Sequence, residues 1–445
     1  MSDSLDSWED SPGGLHKPTK KKRRTLLFAS DSIYRLRDFR LLFFGSAISM
    51  FGTEVGNLAV PLVAVMSLDA TAGQVGLLSA MSTAAFLLIG LPAGAWVDRL
   101  RRRPVMILAD FLRAALFASI PLAWWLDVLS FGWLMCVVFA CGVLSVFFDL
   151  SSQSFVPSVV KSDRLVDANS RLGSLDGFTS IAGPSLGGLI VQAIGAPLAV
   201  LIDAVSYLWS SLCIALIRHR EEKVRRTEEK RLLRDVIEGV KFVWSHPLLR
   251  ALSLSGAITN FSYQIIIIMM PVLYLRELGL TAGSVGVFLG CGGVGALLGA
   301  LTARSAAEKV GHGRLLWTLD LVSVPFCLLL PLSDRGTMLW LSCIAWGVIV
   351  SRNGMKNVIV VSFRQTVTPA RLLGRMSATM RFILFGALTA GSGVAAVVGS
   401  QFGVRAALWV GSVGLAMTWI PIVLSPLRAM RSLPSAVPDT EPAPA

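Results

Sequence analysis

The sequence is short of charge and of the residues from which catalytic centres are built. Charged side chains make up 16% of the 445 residues and apolar ones 54%, with a mean hydropathy of +0.66. That balance excludes a soluble globular domain. Histidine occurs four times. His16, His219 and His246 fall in a tail or the central polar loop and His312 in a short loop, so ordinary ligand spacing assembles no zinc or haem site. The six cysteines (Cys136, Cys141, Cys213, Cys291, Cys327 and Cys343) all lie in apolar runs, with no C-x-x-C pair. Buried reduced thiols are expected, and neither disulfides nor a metal centre. Phosphate loop, nucleophile elbow and His/Cys cluster are all missing, so hydrolysis lacks both nucleophile and base. Neither an enzyme nor a cofactor is expected.

What the chain has in abundance is long apolar runs. Each membrane-spanning helix needs about 20 residues. Spans are expected near 40–66, 74–98, 104–126, 131–156, 165–194, 197–217, 248–275, 282–303, 313–333, 338–361, 371–400 and 403–427. The first run is too long for a cleavable leader and is read as a retained span. The net charge of +13 raises the question of nucleic acid. With both termini cytosolic, however, only Arg276, Arg335 and Arg405 fall outside and Arg113, Arg352, Lys356 and Arg381 within spans. The rest of the 41 lysines and arginines lie on the cytosolic side. The basicity therefore records topology in a multi-pass cell-membrane protein whose partner is the lipid bilayer, with no nucleic acid.

The expected order is a disordered basic cytosolic arm over 1–38, a six-span half over 39–217, a cytosolic linker over 218–247, a second six-span half over 248–427 and a disordered, Pro-rich tail from 428 to 445. Lys17 to Arg24, the basic core of the arm, suits anionic headgroups. In the linker, Leu232, Leu233, Val236, Val240 and Val243 recur at helical spacing opposite Arg231, Arg234 and Lys241, predicting an amphipathic interfacial helix.

The densest signal is Gly94-Ala-Trp96-Val-Asp98-Arg99-Leu-Arg101-Arg102-Arg103-Pro104, a very short turn between two spans. A positive-inside loop alone would explain its arginines but not Asp98. Gly94, Asp98, Arg99, Arg102 and Arg103 read as G-x-x-x-D-R-x-x-R-R, which resembles the loop motif between helices two and three of the major facilitator superfamily. It departs from that motif in Arg101, where a glycine is usual, and in the bulky Trp96. Span five carries Gly183-Pro184-Ser-Leu-Gly187-Gly188, which resembles the antiporter motif of the same superfamily with its upstream glycines displaced. The proline kinks a helix and the small residues allow close packing. The stretch Gly239 to Arg250 adds likeness to the branch of enterobactin exporters and macrolide-efflux proteins.

Intramembrane ions are the remaining candidates. Glu54 lies ~21 Å along the first span, near the midplane. A carboxylate there costs roughly 2.5–3.5 kcal/mol on insertion scales unless it faces a polar cavity. It is the candidate proton-coupling group, with Arg113 and Arg381 as possible charge partners. Asp110 and Arg113 stand one turn apart in span three. The resemblance implies that an acid low in helix four, Asp149 here, completes a relay with Asp98. The second half repeats the first: Arg371-Leu372 matches Arg164-Leu165, and Gly299 to Arg304 matches Gly94 to Arg99 with Ala303 in place of Asp98. Arg352, Lys356 and Asp320 are further ions in this half, and Thr368-Pro369 is expected to cap span eleven. Asn57, Asn260, Gln264 and Phe385 are candidate pocket side chains.

The resemblance implies twelve transmembrane helices in two pseudo-symmetric six-helix halves, an all-α fold with a substrate site at their interface. It implies secondary active export of a hydrophobic or amphiphilic small molecule (a drug, macrolide or siderophore-like compound) by proton antiport. A lysophospholipid or other lipid translocator, or a non-transporting receptor or scaffold, are the alternatives.

Overall fold

The computed structural model describes residues 33–97, 99–160, 164–218, 232–369 and 372–430. Asp98, Arg371, the basic core of the amino-terminal arm, the 219–231 part of the linker and the tail from 431 lie outside the described residues.

The first half is built from α1 (Arg37–Ser67), α2 (Ala72–Val97), α3 (Arg102–Trp125), α4 (Phe131–Val159), α5 (Leu165–Ile194) and α6 (Ala196–Leu216). A shorter helix, α7 (Leu232–Ser245), precedes the second half. That half comprises α8 (Pro247–Val272), α9 (Ala282–Val310), α10 (His312–Leu329), α11 (Thr337–Val367), α12 (Leu373–Gln401), α13 (Val404–Ala416) and the short α14 (Ile420–Val423). Among the described residues, eleven helices are long and apolar enough to cross a membrane. The twelfth spanning element, α11, is 31 residues long. Its apolarity is diluted by Arg352 and Lys356, which are buried inside the bundle.

Tight turns join neighbours. Gly195 at φ 84° separates α5 from α6, with a proline opening the next helix, and Gly311 at φ 96° separates α9 from α10. Both sit in the left-handed region that side chains disfavour. Ser130 caps α4 by accepting from the Trp133 N–H at 3.2 Å. Thr368, expected to cap α12, instead follows the last turn of α11, and α12 starts later, with Leu372 at its cap position. Pro369 disfavours helical geometry at the residue before it, which ends α11 there.

The two halves pack by one plan. In the first, α6 lies between α1 and α3, α2 against α4, and α5 against α1. In the second, α13 lies against α8 and α10, α9 against α11, and α12 against α8. The halves are joined chiefly by α2 with α12 and α5 with α9, and to a lesser extent by α2 with α8. The second half is filled by an aromatic ladder: Tyr263 stacks on Trp346 and Trp346 on Phe288, each at 5.1 Å. The linker helix α7 docks on α12, where Glu238 pairs with Arg375 at 2.6 Å and Gly239 lies against Thr379. Val243 is fully buried there, whereas Val240 is 40% exposed, so the docked face takes in Gly239 and Val243 but not Val240.

Candidate functional site

The halves meet at one end of the bundle and part at the other. Near the α1–α2 turn, α2 and α12 approach so closely that a Cβ on Gly76 would lie 2.6 Å from the Ala396 Cα. Gln264 donates to Ser79 at 2.8 Å, Thr389 to Thr83 at 3.1 Å, and the Phe86 and Phe385 rings stack at 3.7 Å. On the opposite flank, Gly188 of α5 faces Gly286 of α9, where a Cβ would lie 2.5 Å from the facing Cα. Toward the end that carries the α2–α3 loop, hydrogen bonding between the halves among the described residues stops at Arg381–Gln153, 3.2 Å. Beyond it, a Cβ on Gly94, Gly173 or Gly177 would meet nothing within 4 Å.

The glycines of span five serve two neighbours at once. Gly183 gives room for the Glu54 stem, Gly187 lies on Val55 of α1, and Gly188 makes the contact with α9. Pro184 lies between them inside α5, with its carbonyl against Gly286. Two features that the sequence presents separately, Glu54 and the Gly-Pro element, are therefore one contact. Glu54 is half-buried and makes no ion pair among the described residues; its electrostatic neighbours are Asp176 and, from the second half, Tyr263. Neither Arg113 nor Arg381 stands beside it.

Register within the repeat makes this contact informative. Counted from the helix starts, Gln264 in α8 occupies the place of Glu54 in α1, and Gly391 in α12 the place of Gly183 in α5. The packing repeats too, since a Cβ on Gly391 would lie 3.2 Å from the Gln264 Cβ. One half carries a carboxylic acid at this position and the other its amide.

Arg113 is the hub of a second cluster in the first half. It pairs with Asp110, donates to Ser145 at 3.2 Å, and stacks over Tyr207 at 4.3 Å and Phe148 at 4.5 Å. The Tyr207 hydroxyl meets Thr53 of α1 at 3.1 Å. Asp149 is an electrostatic neighbour of both Arg113 and Arg381. Asp203 of α6, 1% exposed, completes the cluster; Ser206 donates to it at 3.2 Å, and it fits under α1 because positions 52 and 56 are glycines. Sequence reasoning missed Asp203, although an acid well inside an apolar span is the same signal that singled out Glu54.

The second half has a matching centre. Asp320 in α10 holds the register of Asp110 in α3, but its cations come from α11. Lys356 Nζ donates to both carboxylate oxygens at 2.9 and 2.7 Å, and Arg352 lies 3.5 Å away while also bonding Ser323 at 3.1 Å.

In the loop motif, Arg103 donates to the Ile214 and Ala215 carbonyls at 3.2 and 2.7 Å, closing the end of α6. Arg99 is exposed and Arg102 half-buried at the start of α3. Of the candidate pocket side chains, Asn57 is exposed, Asn260 lines a cavity of about 710 Å³, and Gln264 and Phe385 belong to the inter-half contact described above.

Two repeated helical halves, closed together at one end and parted at the other, define a polytopic transporter. Residues 42–385 match the family model of the Major Facilitator Superfamily, and the chain belongs to that family. It is 26% identical over 416 residues to the multidrug efflux pump Tap of Mycobacterium tuberculosis, covering 88% of this chain and 92% of the relative. It is 23% identical to macrolide efflux protein A of Streptococcus pyogenes over 53% of this chain and 58% of that one. Among solved structures, a bacterial homologue of the iron transporter ferroportin, inward-facing, shares the fold: TM-score 0.67, 16% identity, covering 89% of this chain and all of the other. The family and these neighbours are transporters, not enzymes.

Proposed function

We propose that the protein exports a hydrophobic or amphiphilic small molecule across the cell membrane by proton antiport. The observation that carries this reading is the Glu54–Gly183 contact. A carboxylate without an ion-pair partner among the described residues is seated on the helix whose next turn makes the α5–α9 contact between halves. A proton arriving at or leaving Glu54 changes the charge at that seam, which biases one arrangement of the halves over the other. The efflux roles of Tap and macrolide efflux protein A support the direction.

In this reading the termini and the 219–231 stretch are cytosolic, following the distribution of lysine and arginine. The α2–α3 loop end is then the open, cytosolic one. Asp98 belongs to the cytosolic gate with Asp149, and Ala303 shows that the second half lacks its counterpart. A single cysteine at Thr227, in a chain freed of its native cysteines, is expected to resist an impermeant reagent in intact cells; labelling from outside would reverse the topology.

The test of function uses purified protein in liposomes with an imposed pH gradient and labelled amphiphiles, macrolides included. Gradient-dependent uptake above protein-free liposomes is expected. Absence of such uptake for every member of the panel would overturn the antiport reading.

A further inference from the structure

The wall of the cavity in the second half is basic. The space of about 710 Å³ lies between α8, α11 and α12, a volume ordinary for a small-molecule site. One face of α11 supplies Asn353, Lys356, Asn357, Val360 and Arg364, at the three- and four-residue spacing of a helical stripe. From α12 comes Arg381. Among the described residues lining this cavity there is no aspartate or glutamate.

The three cations differ in how far their charge is met. Lys356 is engaged by Asp320, a carboxylate that also serves Arg352. Arg381 reaches across to the neutral Gln153, with Asp149 of the other half as its electrostatic neighbour. Arg364 is half-buried and faces no carboxylate among the described residues; its bond is a long one, 3.4 Å, to the Val360 carbonyl of its own helix. Asp320 lies behind Lys356, whereas Glu54, Asp149 and Asp176 belong to α1, α4 and α5 of the first half. Apolar surface lies directly beside the cations, from Leu252, Met376, Met380, Ile383 and Leu384.

From this we infer that the pocket takes the anionic group of an amphiphile, with Arg364 and Arg381 holding a phosphate- or carboxylate-type head and the methionine- and leucine-lined wall taking its tail. Arginine suits this role because its planar fork presents paired donors to such oxygens. Two sources share this chemistry, a free anionic amphiphile and the head of a membrane lysolipid. The inference names the substrate class of the transport reading above and rests on it for purpose; binding itself requires no gradient.

The experiment measures binding to the purified full-length chain in neutral maltoside micelles. The probes are octyl phosphate, octanol, octyltrimethylammonium and lysophosphatidic acid. Octyl phosphate is expected to bind saturably and octyltrimethylammonium at least about tenfold more weakly. Arg364→Gln and Arg381→Gln should each weaken octyl phosphate about tenfold, and Arg364→Lys and Arg381→Lys should recover part of the loss. An unchanged thermal midpoint identifies the folded variants. Competition by lysophosphatidic acid that disappears in both Gln variants assigns the pocket to a lipid head; octyl phosphate binding without that competition assigns it to a free amphiphile. Equal affinity for the two charged octyl probes, or wild-type octyl phosphate binding in both Gln variants, would overturn the proposal. Because no pH gradient is used, failed antiport with intact binding would sink the transport reading alone.

Discussion

Replacing Asp320 by Asn is expected to lower the thermal midpoint of the purified protein by roughly 6–20 °C. Asp320 is fully buried and is the carboxylate shared by Lys356 and Arg352, themselves 9% and 3% exposed. Removing it strands two cations at once, and breaking a buried pair costs about 3–5 kcal/mol because the remaining charge has nothing to meet it. The reverse change is milder. Lys356→Met leaves Asp320 still 3.5 Å from Arg352, so one pair survives and the apolar stem of lysine is largely replaced. The ordering is the critical readout. A loss from Lys356→Met as large as that from Asp320→Asn would mean that the carboxylate is not shared and that the centre is a simple pair.

This centre was only half legible in the sequence. Asp320, Arg352 and Lys356 stand out as ions in apolar runs, since burying charge in a membrane demands a partner. Which ion meets which follows from helix packing: Asp110 finds Arg113 one turn along its own helix, whereas Asp320, in the same register of the repeat, finds its cations on α11. Local spacing carries the first pairing and carries nothing about the second. Long apolar runs and the two motifs were enough for the twelve-helix, two-half architecture, because a bilayer allows little else to a chain of this composition. Thr368 shows the limit of local rules: a capping residue before proline reads as a helix start, yet it stands at a helix end. Asp203 went unread because its signal is a single residue, and the glycines at positions 52 and 56 that accommodate it lie on another helix, far away in sequence.

Replacing Glu54 by Gln is expected to abolish gradient-driven transport, down to the level of protein-free liposomes, while substrate binding is retained. The amide is close in shape to the protonated acid, so the variant should hold the geometry of one protonation state and lose access to the other. The protein itself contains the structural control. Gln264 stands at the equivalent place in the second half and packs on Gly391 as Glu54 packs on Gly183, so an amide is compatible with this contact. Abundance and thermal midpoint of Glu54→Gln should therefore stay near wild type, and the loss should appear in coupling. Placement is the reason to expect coupling in the half that carries the acid. Gln264 is spent on hydrogen bonds to Ser79 and Ser392 at 2.8 and 3.2 Å, a neutral latch between α8, α2 and α12. Glu54 has no such hydroxyl partner among the described residues and lies one turn of α5 from the Gly188–Gly286 contact. Adding or removing its charge therefore acts directly where the halves touch. The reciprocal change, Gln264→Glu, should not restore transport to Glu54→Gln, because the new acid would sit in a seam already fastened by Ser79. A well-expressed Glu54→Gln protein with wild-type pH dependence of transport would remove Glu54 from the mechanism and leave its fit against Gly183 a matter of packing alone.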